Sequence, residues 1–114
     1  MDIVDLQRRL RDFARARHWE PYQTPKNLAM AMMVEAAELL EIFQWMTPEA
    51  SMQVASDPDV HQHLGEEIAD VMLYLVQIAD HSGIDLQACV ERKLGLNALK
   101  YPVTTGPDVA TAAS

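Results

Sequence analysis

Three times in this chain a helix-capping residue stands directly before a proline: Thr24-Pro25, Thr47-Pro48 and Asp57-Pro58. A Thr or Asp side chain accepts from the free N–H groups of a first helical turn, and proline fits the first helical position because its missing N–H has no partner there anyway. Each pair therefore fixes where a helix begins. The stretches between them are long and rich in Ala, Leu, Met and Glu, with only four Gly in 114 residues, so little competes with helix. The chain reads as all-α, a single-domain bundle of about four to five helices over residues 1–102.

The boundaries follow from the same punctuation. Ile3, Leu6, Leu10 and Phe13 recur at helical spacing among Arg8, Arg9, Arg11 and Asp12, which predicts an amphipathic helix over about residues 2–18. A break follows at Trp19-Glu20-Pro21-Tyr22-Gln23. Thr24-Pro25 opens a second helix to about Met46, Thr47-Pro48 a short one over about 48–55, and Asp57-Pro58 a long one ending near His81-Ser82, where Gly83 supplies a left-handed cap. Asp85 caps a last helix to about Leu99, and Tyr101-Pro102 stops it. Residues 103–114, built of Thr, Ala, Gly, Pro and Asp with little apolar content, predict a disordered tail.

Charge and cysteine usage narrow the function classes. Seventeen acidic against nine basic residues give a net charge of −8, which disfavours a nucleic-acid polymer held by counterion release. An acidic chain can still handle a polyphosphate when divalent cations lie between carboxylate and phosphate oxygens. The single Cys89 excludes an internal disulfide framework, and no apolar run reaches membrane-spanning length, which points to a reducing cytoplasm and no membrane partner.

The chemistry-bearing feature is a set of four carboxylates. At roughly 100° per residue, Leu28, Ala31, Glu35, Glu38, Leu39 and Ile42 share one sector of the second helix, so Glu35 and Glu38 lie inside an apolar stripe. The opposite side, with Met30, Met33, Val34, Ala37 and Leu40, is apolar as well, which predicts a helix surrounded by protein. On the long helix Glu67, Asp70 and Tyr74 share a side bordered by Leu64, Val71 and Ile78. The i, i+3 spacing places the acids of each pair about 5–6 Å apart at Cβ, close enough to ligate one cation or two adjacent ones. One such pair is an ordinary solvated face; two pairs within apolar stripes point to a site for Mg²⁺, with Mn²⁺ as a substitute, because buried like charges need a cation. A di-iron bundle wants Glu-x-x-His, which is absent, and zinc is served neither by the lone Cys89 nor by a His pair at i, i+4. His61 and His63 read as solvated residues at the start of a helix.

The strings Glu35-Ala-Ala-Glu38 and Glu67-Ile-Ala-Asp70, with residues 39–66 between them, resemble the paired acidic motif of the MazG-like all-α nucleoside triphosphate pyrophosphohydrolases. The segments Phe13–Trp19, Pro25–Leu28, LLEIFQW (39–45), DVMLYLV (70–76) and KLGLNALKYP (93–102) are most similar to the small dCTP pyrophosphatase branch, and the resemblance spans about residues 3–102. It implies cleavage between the α and β phosphates of a nucleoside triphosphate in a homodimer or dimer of dimers. It further implies that Glu35, Glu38, Glu67 and Asp70 hold the metal, and that Glu38 or Glu41 takes a proton as general base. Lys93, Asn97 and Lys100, one helical face of the last helix, together with Tyr101 would meet phosphate oxygens. Trp19, Trp45 and Tyr74 match aromatic positions around the nucleobase. Positions that carry His in vertebrate-like relatives are Leu10 and Gln23 here, so the resemblance implies a deoxynucleotide preference that includes dCTP, without restricting the base to cytosine. The alternatives are a relative acting on dUTP, modified nucleotides or phosphoribosyl-ATP, and, from another class, a helical dimerisation module whose acids are remnants.

Overall fold

In the computed structural model, which describes residues 1–103, every regular element is helical and no strand occurs among the described residues. The helices are α1 (Ile3–Ala16), α2 (Pro25–Phe43), α3 (Pro48–Ser51), α4 (Pro58–His81) and α5 (Leu86–Lys100), with short 3₁₀ turns at Glu20–Tyr22 and Val54–Ser56. All three cap-plus-proline pairs start helices. Thr24 accepts from the Asn27 N–H at 3.1 Å, Thr47 from Ala50 at 3.1 Å, and Asp57 from Asp59 and Val60 at 3.1 and 3.3 Å. Asp2 and Asp85 cap α1 and α5 in the same way. Each such cap stabilises its helix by about 1 kcal/mol.

The ends differ from the periodic expectation in instructive ways. The first helix stops at Ala16 rather than 18 because His18 turns left-handed, φ 58°, and the chain closes on itself: His18 N–H donates to Arg15 O and Trp19 N–H to Ala14 O. That paired pattern is a Schellman cap without glycine, and it aims Trp19 off the helix axis. The second helix ends at Phe43, three residues short of expectation, in a turn where Met46 N–H donates to Phe43 O. The short helix divides into α3 and a 3₁₀ turn at Val54–Ser56, since Ser51 and Ser56 bond back to the carbonyls three residues earlier. Gly83, φ 67°, follows α4 as expected. The tail expected over 103–114 lies outside the described residues except for Val103.

The chain divides into two compact units, Met1–Gly83 and a second from Ile84 onward. In the first, α2 packs along α4, and α1 and the Val54–Ser56 turn also lie on α4. Its core is small: Ala14, Leu28, Val76 and Ala79 are buried, Val76 completely. Burying a Val or Leu side chain contributes roughly 1.5–3 kcal/mol. Polar links fasten α1 to α4: Gln7 Nε2 donates to Val76 O at 3.2 Å, and Arg11 Nη1 reaches both oxygens of Asp80 at 2.7 Å. In the second unit α5 has no buried residue among those described, with Leu94 and Leu99 exposed.

Leu28 is buried, Ala31, Glu35, Leu39 and Ile42 are half-buried, and so the sector expected to face inward on α2 does so. The opposite side departs from expectation. Met30, Met33, Val34 and Leu40 are 59%, 61%, 58% and 63% exposed, so within one chain α2 is covered on one side only. The reason is shortage of partners: α4 is the helix along which α2 lies.

Candidate metal centre

Packing of α2 on α4 brings carboxylates of both helices together. One oxygen each of Glu35, Glu38 and Glu67 lies within 4.8 Å of the others. Glu67 is buried at 8% exposure. Oε2 of Glu35 and Oε2 of Glu67 are buried and have no hydrogen-bond partner among the described residues. Ionised carboxylates only accept, so these oxygens cannot satisfy one another, and a proton or a cation would supply what each lacks.

The electrostatics carry the same message. The Glu35 carboxyl is pushed above its ordinary value, first by sharing a proton with Glu67, then by burial, with added repulsion from Glu67 and Asp70. Glu38 is raised too, first by a proton shared with Glu35 and then by repulsion from it. Like charges at this separation resist joint ionisation. Hard oxygen donors, orphaned acceptors and crowded negative charge suit a divalent cation that favours oxygen, and Glu35, Glu38 and Glu67 would hold it.

Asp70 stands differently. It is exposed and outside the tight trio, yet it lines a cavity of about 160 Å³ with Glu35, at the edge of the acidic cluster. The other walls of that cavity are Leu10, Phe13, Trp19, Gln23, Leu73, Tyr74 and Gln77. Phe13 and Trp19 meet edge to face with centroids 5.7 Å apart, and the Arg17 guanidinium lies 3.3 Å over the Phe13 ring. These contacts fix an aromatic wall beside two carboxylates, a shape suited to a flat ring carrying a charged tail.

A second and larger cavity, about 460 Å³, is lined by Glu38, Glu41, Ile42, Met46, Val60 and His63. Members of the trio thus line two cavities, Glu35 the aromatic recess and Glu38 the larger acidic one. Glu41 is exposed and shares this wall with Glu38.

The sequence expectations distribute over the molecule as follows. Glu35, Glu38 and Glu67 come together; Trp19 and Tyr74 line one cavity with Glu35 and Asp70. Trp45 follows the end of α2 and is 90% exposed. Lys93, Asn97 and Lys100 lie on α5 and Tyr101 caps it, all in the second unit. Sequence reasoning missed Phe13, Gln77 and His63 as parts of the cavity walls. For His63 the signal was present: it precedes Glu67 by four residues, hence on the same helix face.

Among described residues, no helix is long and apolar enough to cross a membrane. Residues 30–114 match the MazG-like family. The chain is 37% identical over 101 residues to the bovine (Bos taurus) dCTP pyrophosphatase 1, covering 89% of this chain and 60% of that protein. It is 37% identical over 100 residues to the Homo sapiens dCTP pyrophosphatase 1, covering 88% and 59%. The chain therefore spans about three fifths of the length of these curated relatives. Among solved structures, a crystal structure of a pyrophosphatase from Archaeoglobus fulgidus superposes with a TM-score of 0.80 at 40% identity, over 88% of this chain and 92% of that one. The acidic motif, the helical fold and these similarities lead to one conclusion: the chain belongs to the MazG-like family, close to the dCTP pyrophosphatase branch.

Proposed function

We propose that this protein is a nucleoside triphosphate pyrophosphohydrolase, dependent on Mg²⁺ or Mn²⁺, which converts deoxynucleoside triphosphates including dCTP to the monophosphate and pyrophosphate. The observation that carries this reading is the trio Glu35, Glu38 and Glu67 with its two buried orphan oxygens, two of whose members line an aromatic recess and a larger acidic cavity. The names of the relatives, dCTP pyrophosphatase 1 and a pyrophosphatase, supply the substrate class and the bond.

In this reading Trp19, Phe13 and Tyr74 receive the base by stacking and edge contact. Glu35, Glu38, Glu67 and Asp70 would hold the divalent cation. When bound, that cation neutralises phosphate oxygens and makes phosphorus more electrophilic. Glu38 or Glu41 takes a proton from the water that attacks in line at the α phosphorus; the α–β bridging oxygen leaves with pyrophosphate. Lys93, Asn97, Lys100 and Tyr101 enter as donors to phosphate oxygens, and Trp45 as a further aromatic face, from the sequence resemblance alone. The exposed apolar side of α2 supports assembly as a homodimer or dimer of dimers, because water-facing Met30, Met33, Val34 and Leu40 form one helical stripe. House-cleaning of nucleotide pools in the cytoplasm is the role this chemistry fits.

The same exposed stripe is what a purely structural dimerisation module would show. A panel of dCTP, dUTP, the other deoxynucleotides, modified nucleotides and phosphoribosyl-ATP separates the two. Metal-dependent release of pyrophosphate is expected, falling on the order of a thousandfold in Glu38→Ala, since cation-mediated stabilisation amounts to several kcal/mol. No release from any member of the panel would leave the dimerisation module standing.

A further inference from the structure

His63 is the one imidazole on the wall of the larger cavity, and its Nε2 lies 3.4 Å from Oε1 of Glu67. Its side chain is 57% exposed while that of Glu67 is 10% exposed, so an exposed imidazole meets a nearly buried acid. The two oxygens of Glu67 are thereby distinguished: Oε1 has an imidazole nitrogen within reach, and Oε2 is buried without a hydrogen-bond partner among the described residues. One turn of α4 sets the geometry, and the adjacent pair displays it already made: Gln62 Nε2 donates to Glu66 Oε1 at 3.2 Å across the same i, i+4 spacing.

We propose that His63 is a positioning residue for the metal centre: its Nε2–H holds Glu67 Oε1 and so turns Oε2 toward the cation. The inference rests on the reading of Glu35, Glu38 and Glu67 as a cation site. It does not require a charged imidazole, because the neutral ring carries a donor at Nε2 in one tautomer. A ligand carboxylate fixed by an outer hydrogen bond loses less freedom on binding its ion, and removing such outer partners weakens metal affinity or activity by about 10–100-fold. No carboxylate changes in this account; only the orientation of one does.

The experiment is a Mn²⁺ titration of the full chain without nucleotide, followed by the electron paramagnetic resonance of free ion, on the parent protein and on His63→Ala, His63→Gln and His61→Ala. Gln at position 63 keeps an N–H donor and can copy the Gln62–Glu66 bond. His61 sits on the same exposed start of α4 and serves as the control for general effects on that turn. The expected result is Mn²⁺ affinity about tenfold or more lower in His63→Ala, largely restored in His63→Gln and unchanged in His61→Ala. With dCTP as substrate, His63→Ala should raise the Mg²⁺ concentration for half-maximal rate more than it lowers the rate at saturating Mg²⁺. Parent-like Mn²⁺ affinity in His63→Ala overturns the role of His63 while leaving the cation site intact. Absence of Mn²⁺ binding by the parent chain overturns the cation site and this proposal together. Equal loss in His63→Ala and His63→Gln also overturns it, since a donor alone should then have sufficed.

Discussion

The two sides of α2 are built from similar residues and meet opposite fates. One carries Leu28, Ala31, Leu39 and Ile42 with Glu35 and Glu38 among them, and is covered by α4; the other carries Met30, Met33, Val34 and Leu40 and faces water. By hydrophobicity alone the acid-free side should be the buried one. The acids instead face α4, which brings Glu67 into one carboxylate cluster with Glu35 and Glu38, a group that could hold a metal ion. The inner side is thus a compromise between packing and chemistry, and the outer side holds apolar surface that a single chain leaves uncovered.

Substitutions along α2 test this contrast. The largest effect belongs to the inner side: Leu28→Ala, at a residue 3% exposed, should destabilise the fold by about 2–5 kcal/mol in urea unfolding. An equal loss for Leu40→Ala would abolish the contrast, because a water-exposed leucine should change single-chain stability by no more than about 0.5 kcal/mol. The outer side is probed by assembly. Leu40→Glu should shift sedimentation of the chain to that of a monomer with an unchanged helical spectrum, and a parent chain that already sediments as a monomer removes the interface reading of this face.

The smallest effect concerns the acids without metal. Glu35 and Glu38 are raised above their ordinary values, so between the ordinary and the raised value the folded state holds more protons than the unfolded one. Stability contributed by these protonated groups is present below the ordinary carboxyl range and is lost as pH rises through the raised values. In chelator, melting temperature should therefore fall as pH rises through that window. Glu35→Gln should flatten the dependence and raise the melting temperature at neutral pH. Added Mg²⁺ should stabilise the parent at neutral pH and do less for Glu35→Gln. A parent whose melting temperature rises over the same window contradicts the crowding of these acids.

Much of the architecture was written in local chemistry. Thr24-Pro25, Thr47-Pro48 and Asp57-Pro58 set helix starts because a cap and a missing N–H act within one turn, and Gly83 ended α4 for an equally local reason. Endings such as Ala16 were less legible, since a left-handed His18 runs against the local preference of a residue with a Cβ and is held by the Schellman bonds. Periodicity told which side of α2 held Glu35 and Glu38 but treated both apolar sides alike.

The sequence by itself determined the helices, the two acidic pairs and their spacing, because these depend on neighbours within about one turn of helix. Only the tertiary structure decided that Glu67 is the buried acid and Asp70 the exposed one. It alone placed Phe13 and Gln77 in one cavity wall with Trp19, and only it left Glu67 Oε2 buried without a hydrogen-bond partner among the described residues. The physical reason is that burial and orphaned acceptors are properties of how α2, α4 and α1 pack, and a one-dimensional pattern carries direction around a helix but not what stands opposite.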